Sequence, residues 1–276
     1  MCKFYSAIVM KNGDLLHNEN LMSHEDIIDL FNINDSQTNC NKFVRVEFSP
    51  DNDSDLPDIS KYKLNADESV VPDWFEKHRE YITERLTDIV KNRIISGSHK
   101  LLTGGLYVVK DAEIGRIKSA IVVYLQNSQV NEMRENSQVN EMWGNSQVNE
   151  MRENSQVNVM RENSQVNEMR ENSQVNVMRG NSQVNVMRGN SQVNVMRENS
   201  QVNEMRENSQ VNVMRGNSQV NEMWENSQVN VMWENSQVNE MRENSQVNVM
   251  WENSQVNVMW ENSTVKINNS KNKLPR

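Results

Sequence analysis

A nine-residue unit, Asn-Ser-Gln-Val-Asn-(Glu/Val)-Met-(Arg/Trp)-(Glu/Gly), is repeated fifteen times without a gap between residues 127 and 261. A chain that repeats so short a unit is restricted to a stack in which each copy buries its apolar side chains against its neighbours. The unit offers only Val, Met and, in some copies, a second Val or a Trp. That supply is too small for a single globular core but sufficient for a narrow stacked one.

An α-helix cannot use this pattern. At about 100° per residue, nine residues turn a helix by about 900°, which leaves each copy half a turn out of phase with the previous one. The apolar moments of successive copies therefore cancel. Two Asn residues in every unit, and Gly in some units, also disfavour a helix.

A β-strand accommodates the unit better. Ser at position 2 and Val at position 4 face one side of a strand, and Gln at position 3 and Asn at position 5 face the other. Met at position 7 is out of this phase, so we expect a bend near positions 5 and 6 to turn it inward. Glu or Gly at position 9, followed by Asn, suits a corner with positive φ. Stacked copies would form Ser, Val, Met and Asn ladders.

The number of units in one coil follows from position 6, which alternates between Glu and Val. In twelve of the fifteen units, odd-numbered copies have Glu and even-numbered copies have Val. This 18-residue period predicts two units per coil and a flattened β-helix about 36 Å long at a strand spacing of about 4.8 Å. Inheritance of a duplicated 18-residue segment is an alternative origin of the period.

Two units per coil give the solenoid two faces, which we name the odd face and the even face after the units that form them. The side chains of the odd face sum to −7 and those of the even face to −1. The odd face carries the acidic column Glu132, Glu150, Glu168, Glu204, Glu222 and Glu240. The even face carries Val159, Val177, Val195, Val213, Val231 and Val249 beside Arg161, Arg179, Arg197, Arg215, Trp233 and Trp251.

The even face is a candidate contact surface, because a column of β-branched residues flanked by Arg and Trp is sufficiently apolar. We hypothesise that it mediates self-association or binds a protein partner. The alternative is that Val at position 6 is simply half buried at the bend. The odd face supports a different hypothesis, an acidic decoy that imitates a nucleic-acid backbone and occupies a DNA-binding protein. Interleaved arginines neutralise nearly half of that charge.

The composition changes near residue 126, which divides the chain into four segments. We predict a small α+β leader domain at 1–105, decayed capping repeats at 106–126, the β-solenoid at 127–261, and a decayed terminal repeat with a basic tail at 262–276. Residues 111–117 align with the first seven positions of the unit and residues 118–126 with a full unit, so the solenoid should begin near Asp111. The terminal charges and Pro275 are typical of a protected sheet edge.

The leader domain has recognisable local signals. Residues 4–10 and 15–16 around Asn12-Gly13 predict a hairpin, and Ser23 predicts the N-cap of a helix that runs to residue 31. Residues 43–48 alternate as a strand does, and Gly104-Gly105 predicts a turn. Pro72 opens a helix expected to reach about residue 95. Its expected buried stripe is Trp74, Phe75, Tyr81, Ile82, Leu86 and Ile89.

Candidate chemistry is sparse. Asp51, Asp53 and Asp55 have the spacing that opens a calcium loop, but Gly is missing at its sixth position and Glu at its twelfth, so we interpret them as an acidic loop. The residue types suited to zinc lack the spacing of paired ligands; they are Cys2, His17, His24 and Cys40. No catalytic grouping is apparent, so we expect no metal, no cofactor and no enzyme activity.

Charge and composition limit the partners. A net charge of −9 argues against direct nucleic-acid binding, which needs a basic stripe. Two cysteines are too few for a disulfide framework. The N-terminal apolar run is short and is broken by Lys11 and Asp14, which predicts neither a signal peptide nor a membrane span. We therefore expect a cytoplasmic protein.

The Asn-Ser-x-Val units resemble the short-repeat β-solenoids of phage and mobile-element proteins. Residues 23–31, 42–48, 72–75 and 101–105 are similar to the leader domain that accompanies those repeats. The resemblance covers most of the chain. It implies a β-solenoid and a phage or bacterial source, with the bacterial cytoplasm or a virion as the location, but it implies no activity.

The sequence thus predicts a non-enzymatic structural or interaction protein, a rigid solenoid that binds a protein partner or a second copy through its flat faces. The acidic decoy is the alternative. A third hypothesis, a plane of outward Gln and Asn ladders that binds ice or another surface, is weakened because the repeats contain no Thr columns.

Overall fold

The computed structural model describes residues 4–35 and 41–275. Two compact units are present: the first comprises Met1–Ile95 and Gly104–Val109, and the second comprises Ser96–Thr103 and Lys110–Arg276. The sequence places residues 96–103 in the leader domain, whereas they belong to the second unit. The reason is that Leu102 and Thr103 pair in parallel with Ile117 and Lys118, as successive coils of a solenoid do.

The first unit contains a four-stranded antiparallel sheet with the order β2-β1-β3-β4. Its strands are β1 Ser6–Met10, β2 Leu15–Leu16, β3 Phe43–Ser49 and β4 Lys63–Ala66. Its helices within the described residues are α1 His24–Leu30, α2 Asp73–Glu76 and α3 Arg79–Lys91, with 3-10 turns at Asp53–Asp55 and Ile59–Lys61.

The predicted hairpin and helix start are confirmed. Strands β1 and β2 pair antiparallel, and Gly13 supplies the positive φ of 92° that the turn between them requires. The side chain of Ser23 accepts hydrogen bonds from the backbone N–H groups of Glu25 and Asp26, which caps α1. Helix α1 then buries Ile27 and Ile28 against the sheet.

The predicted long helix is wrong in its extent and partly in its buried stripe. It is interrupted at residues 77–78 and ends at Lys91 rather than near residue 95. Tyr81 is 50% exposed, and Trp74 and Ile89 are only partly buried. The buried residues are Phe75, Ile82, Leu86 and Val90. In α3 these recur every fourth residue, and Tyr81, one residue before Ile82, is rotated about 100° away from that face.

The second unit is a parallel β-solenoid, as the sequence predicted, and it has about ten turns. Its strands are β5 Ile94–His99, β6 Leu102–Thr103, β7 Leu106–Lys118, β8 Ile121–Gln126, β9 Gln129–Arg134, β10 Gln138–Trp143, β11 Gln147–Met151, β12 Gln156–Met160, β13 Gln165–Met169, β14 Gln174–Met178, β15 Gln183–Met187, β16 Gln192–Met196, β17 Gln201–Met205, β18 Gln210–Met214, β19 Gln219–Met223, β20 Gln228–Met232, β21 Gln237–Met241, β22 Gln246–Glu252, β23 Gln255–Met259 and β24 Thr264–Ser270.

The prediction of two units per coil is confirmed by the strand pairing. Each strand from β9 to β22 pairs in parallel with the strand two places further along, not with its sequence neighbour. Identical positions stack at a separation of 18 residues, as Val177 on Val195 and Val195 on Val213 show. Odd units and even units therefore form separate sheets.

The interior is made of three side chains from each unit. Ser at position 2, Val at position 4 and Met at position 7 are fully buried in nearly every copy, whereas positions 3, 5 and 6 are half exposed. Positions 5 and 6 both point outward, so the alternation of the strand is interrupted there and Met at position 7 turns inward. This is the bend that the sequence predicted. Each buried Val or Met contributes about 1.5–3 kcal/mol relative to an exposed one, so the repeated pair supplies the apolar core.

The corner is a tight turn at position 9. The N–H of each following Ser donates to the carbonyl of position 8 at 3.1–3.4 Å. Position 9 has φ of 51–70° in every copy, which costs Glu more than Gly. At six corners a Glu carboxylate offsets this cost by accepting the backbone N–H of the equivalent corner one coil earlier, at 2.6–3.0 Å.

Amide ladders run along the outside of both sheets. On the even face the position 5 amides donate Nδ2 to Oδ1 from coil to coil between Asn140 and Asn248 at 2.8–3.1 Å. An equivalent ladder joins Asn131 to Asn257 on the odd face at 2.9–3.0 Å. These bonds fix the axial register of the copies, because each amide satisfies both of its neighbours.

The first coils are shorter than the repeat. Leu102 pairs with Ile117 fifteen residues on, Ile114 with Val130 sixteen on, and Val122 with Val139 seventeen on. The alignment of residues 111–117 is confirmed. That of residues 118–126 is wrong by one residue, because the corner at Ser119 has positive φ and is followed directly by Ala120 in the buried Ser position.

Candidate functional site

The odd face is a network of ion pairs. Every arginine at position 8 of an odd unit contacts a Glu at position 6, either in its own unit or one coil earlier. Arg170, for example, lies 2.8 Å from Glu168 and 3.0 Å from Glu150. The other pairs follow the same rule; their arginines are Arg134, Arg152, Arg188, Arg206 and Arg242.

Five of the six predicted acidic residues of the odd face are ion-paired in this way, and the sixth accepts a hydrogen bond from a tryptophan. Glu132, Glu150, Glu168, Glu204 and Glu240 each contact at least one arginine. Glu222 has no arginine in its unit and instead accepts the indole N–H of Trp224 at 3.0 Å. Interleaved cations make this column unlike the unbroken phosphate charge of a nucleic acid.

The ion pairs predict an acid-dependent loss of stability. Partial burial favours protonation of Glu132, but hydrogen bonds and charge from Arg134 and Arg116 outweigh it and hold the pKa of this carboxyl below its ordinary value. The Lys118 ammonium and the Ser119 hydroxyl lower the pKa of Glu135. A carboxyl whose pKa is depressed in the folded state stabilises it above the unfolded pKa, and this contribution is lost as the pH falls through the folded pKa.

We therefore expect the thermal midpoint to be constant between about pH 6 and 8 and to fall below about pH 4, followed by circular dichroism. Arg134→Gln should make the acid-dependent fall of the thermal midpoint smaller, because it removes a cation that contacts Glu132. Arg197→Gln is the matched control and should leave it unchanged. An acid response identical in the wild type and Arg134→Gln would contradict this assignment.

The even face lacks this network. Its position 6 is Val in all units but the first, where Glu141 lies 3.2 Å from Arg161. For Arg179, Arg197 and Arg215, the residues two and twenty positions earlier are all Val. These three, which we name the arginine column, have no carboxylate within 4.0 Å among residues 4–35 and 41–275. Arg197 and Arg215 are exposed, and Arg179 is half buried.

Aromatic side chains extend the even face toward both ends. Trp233 and Trp251 stack with their ring centroids 5.3 Å apart and an interplanar angle of 9°. At the other end the Arg161 guanidinium lies over the Trp143 ring at 4.7 Å. Trp251 remains 37% exposed. The even face thus combines unneutralised charge with open aromatic surface.

The structure places the predicted valines together in one column. Val159, Val177, Val195 and Val213 pair consecutively along one sheet, and Val231 and Val249 continue it. Each is half exposed. This exposure agrees with the alternative interpretation, in which Val at position 6 is simply half buried at the bend. It also leaves an apolar strip open to a partner.

The other candidate residues are scattered. Cys2 and Cys40 lie outside the described residues. His24 is buried and its Nε2 lies 2.9 Å from the Val46 carbonyl, while His17 contacts the Tyr5 hydroxyl at 3.1 Å. Burial lowers the pKa of His17 and raises the pKa of Tyr5 to about 12. In the described part of the chain, no three His, Cys, Asp or Glu side chains are grouped as metal ligands.

A cavity of about 360 Å³ in the first coils is lined mostly by polar residues; the lining residues are Ser98, His99, Lys100, Glu113, Ile114, Gly115, Gln129 and Asn131. No helix within residues 4–35 and 41–275 is both long and apolar enough to cross a bilayer.

The prediction from the sequence groups Arg161 with the arginine column and does not include that, of the position 8 arginines, only the column lacks a carboxylate partner within the described residues. The sequence contains the information, because an arginine is unpaired when Val occupies the positions two and twenty residues earlier. The second distance has meaning only once the 18-residue coil is accepted. No protein-family model matches the chain, and neither a curated protein nor a solved structure does.

Proposed function

We propose that the protein is a non-enzymatic structural or interaction protein whose solenoid presents the even face to a protein partner or to a second copy. The observation that carries this proposal is the difference between two sheets built from nearly the same unit. One is closed by ion pairs, and the other exposes valine, stacked tryptophan and arginines that have no carboxylate partner among the described residues.

The composition of the even face supports a protein contact. Interface centres favour Trp and Arg and disfavour Lys and Glu, and energetically important contacts concentrate in those same residues. The solenoid is also suited to this role mechanically, because every coil is joined to the next by backbone pairing and amide ladders. A surface of this kind loses little conformational entropy on binding.

Substitution of two central valines tests the proposal. Val195→Glu with Val213→Glu should abolish even-face contacts, because it places carboxylates inside an apolar strip while leaving the fold intact, as Glu occupies position 6 in seven other units. The readouts are sedimentation velocity of the full chain and its use as bait in extract from its native host. The matched control is Val186→Glu with Val258→Glu, the same substitution at position 6 of two units on the odd face.

If Val195→Glu with Val213→Glu retained every contact of the wild type, the even face would be removed from the proposal. A wild-type chain that is monomeric, with no captured protein whose binding depends on Val195 and Val213, would refute the interaction role itself.

A further inference from the structure

The arginine column is an electrostatic irregularity, because the other arginines at position 8 of the repeats each have a Glu partner. Its members stand one coil apart, so their guanidinium groups repeat at about the 4.8 Å strand spacing. Neighbouring like charges repel one another when no counter-charge separates them. The six odd-face arginines avoid this by alternating with Glu, but Arg179, Arg197 and Arg215 alternate with Val. An acidic surface placed over the column would remove the repulsion.

We infer that the even face of one molecule binds the odd face of a second copy of this chain, with the arginine column against the partner's acidic columns. This inference rests on the proposed function and specifies the occupant of the even face. The odd face has the required charge, a net −7 over its units. Its carboxylates keep free acceptor sites, since each can accept about four hydrogen bonds and Glu222, for example, accepts one from Trp224.

The coil spacing favours a second copy over other acidic partners. Both faces belong to the same solenoid, so acidic groups on the odd face recur at the same axial interval as the arginines on the even face. A guanidinium–carboxylate contact made at one coil is therefore repeated at the next. A nucleic acid has no such matched spacing, and the −9 charge of the chain repels it.

A symmetric pairing of two even faces is disfavoured, because it would bring two sets of unneutralised arginines into one interface. An even-to-odd contact is heterologous, so each molecule of a pair keeps one free face, and the pair as a whole presents one free face of each kind. The expected product is an open-ended lateral assembly. Its formation should be favoured at low ionic strength, since surface charges are screened by salt.

The test uses two neutralised variants of the full chain. The even-face variant carries Arg179→Gln, Arg197→Gln and Arg215→Gln, and the odd-face variant carries Glu204→Gln, Glu222→Gln and Glu240→Gln. Sedimentation velocity at about 20 mM and about 500 mM salt follows assembly, and far-UV circular dichroism verifies that both variants fold. Wild type should form species larger than dimers at low salt, and each variant alone should be monomeric at the same concentration.

Mixing the two variants distinguishes this interface from others. The even face of the odd-face variant still fits the odd face of the even-face variant, so an equimolar mixture should form a one-to-one heterodimer and nothing larger. The matched control also loses three arginines, but from the odd face, where they are ion-paired. It carries Arg170→Gln, Arg188→Gln and Arg206→Gln, and it should still assemble.

Three results would overturn the inference. These are a monomeric wild type at low salt, assembly that persists in either variant, or a monomeric wild type that binds a labelled single-stranded oligonucleotide only when the arginine column is present. The first and third leave the proposed function standing if Val195→Glu with Val213→Glu abolishes capture of a protein partner. They refute both only if no such capture occurs.

Discussion

Val193→Glu is expected to unfold the coils around it and to cost about 4 kcal/mol or more. Val193 is fully buried and stacks between Val175 and Val211 of the adjacent coils. The substitution removes apolar contacts and places a carboxylate in an interior that the repeats line with Ser, Val and Met. Because each coil supports the next, the loss should spread to neighbouring coils.

Val195→Glu, two residues further on, is the matched control. Its side chain is half exposed, and Glu at this position would lie near Arg197 as Glu204 lies near Arg206. We expect its free energy of unfolding in urea to differ from wild type by less than about 1 kcal/mol. Equal destabilisation by the two substitutions would show that position 6 is inside the solenoid and would remove the even face as an exposed surface.

Deletion of nine residues is expected to preserve the β-solenoid but to abolish association. Removing residues 199–207 shifts every later unit by half a coil, so that units of the even face move to the odd face. The buried Ser, Val and Met are identical in both kinds of unit, and the interior is therefore unaffected. The valine column, however, is divided between two faces, and Arg215 is separated from Arg179 and Arg197.

Deletion of a complete coil, residues 199–216, is the control. It shortens the stack by eighteen residues and keeps each remaining unit on its own face. Circular dichroism should give wild-type β-structure for both deletions. Sedimentation should detect association only in the protein that lacks eighteen residues. A nine-residue deletion that associates as well as wild type would mean that the distinction between faces has no role in binding.

Much of the solenoid could be predicted because each position of the unit occurs fifteen times in the sequence. The alternation at position 6 is a local pattern that depends on coil length, and the strand pairing confirms it. Residues 118–126 could not be aligned correctly, because one decayed copy does not reveal that its corner is a residue shorter. The exposure of Tyr81 was missed for a similar reason: in a single helix, a shift of one residue changes which side chains face the sheet.

By itself the sequence determined the nine-residue unit, the exclusion of a helix, two units per coil and the chemical difference between two faces, because all of these follow from residue spacing. Only the tertiary structure decided which charges are neutralised. An arginine at position 8 is paired when Glu stands at position 6 of its own unit or twenty residues earlier in the chain, one coil away in space. Arg161 and Arg188 are paired only through that second position, whereas Arg197 has Val at both.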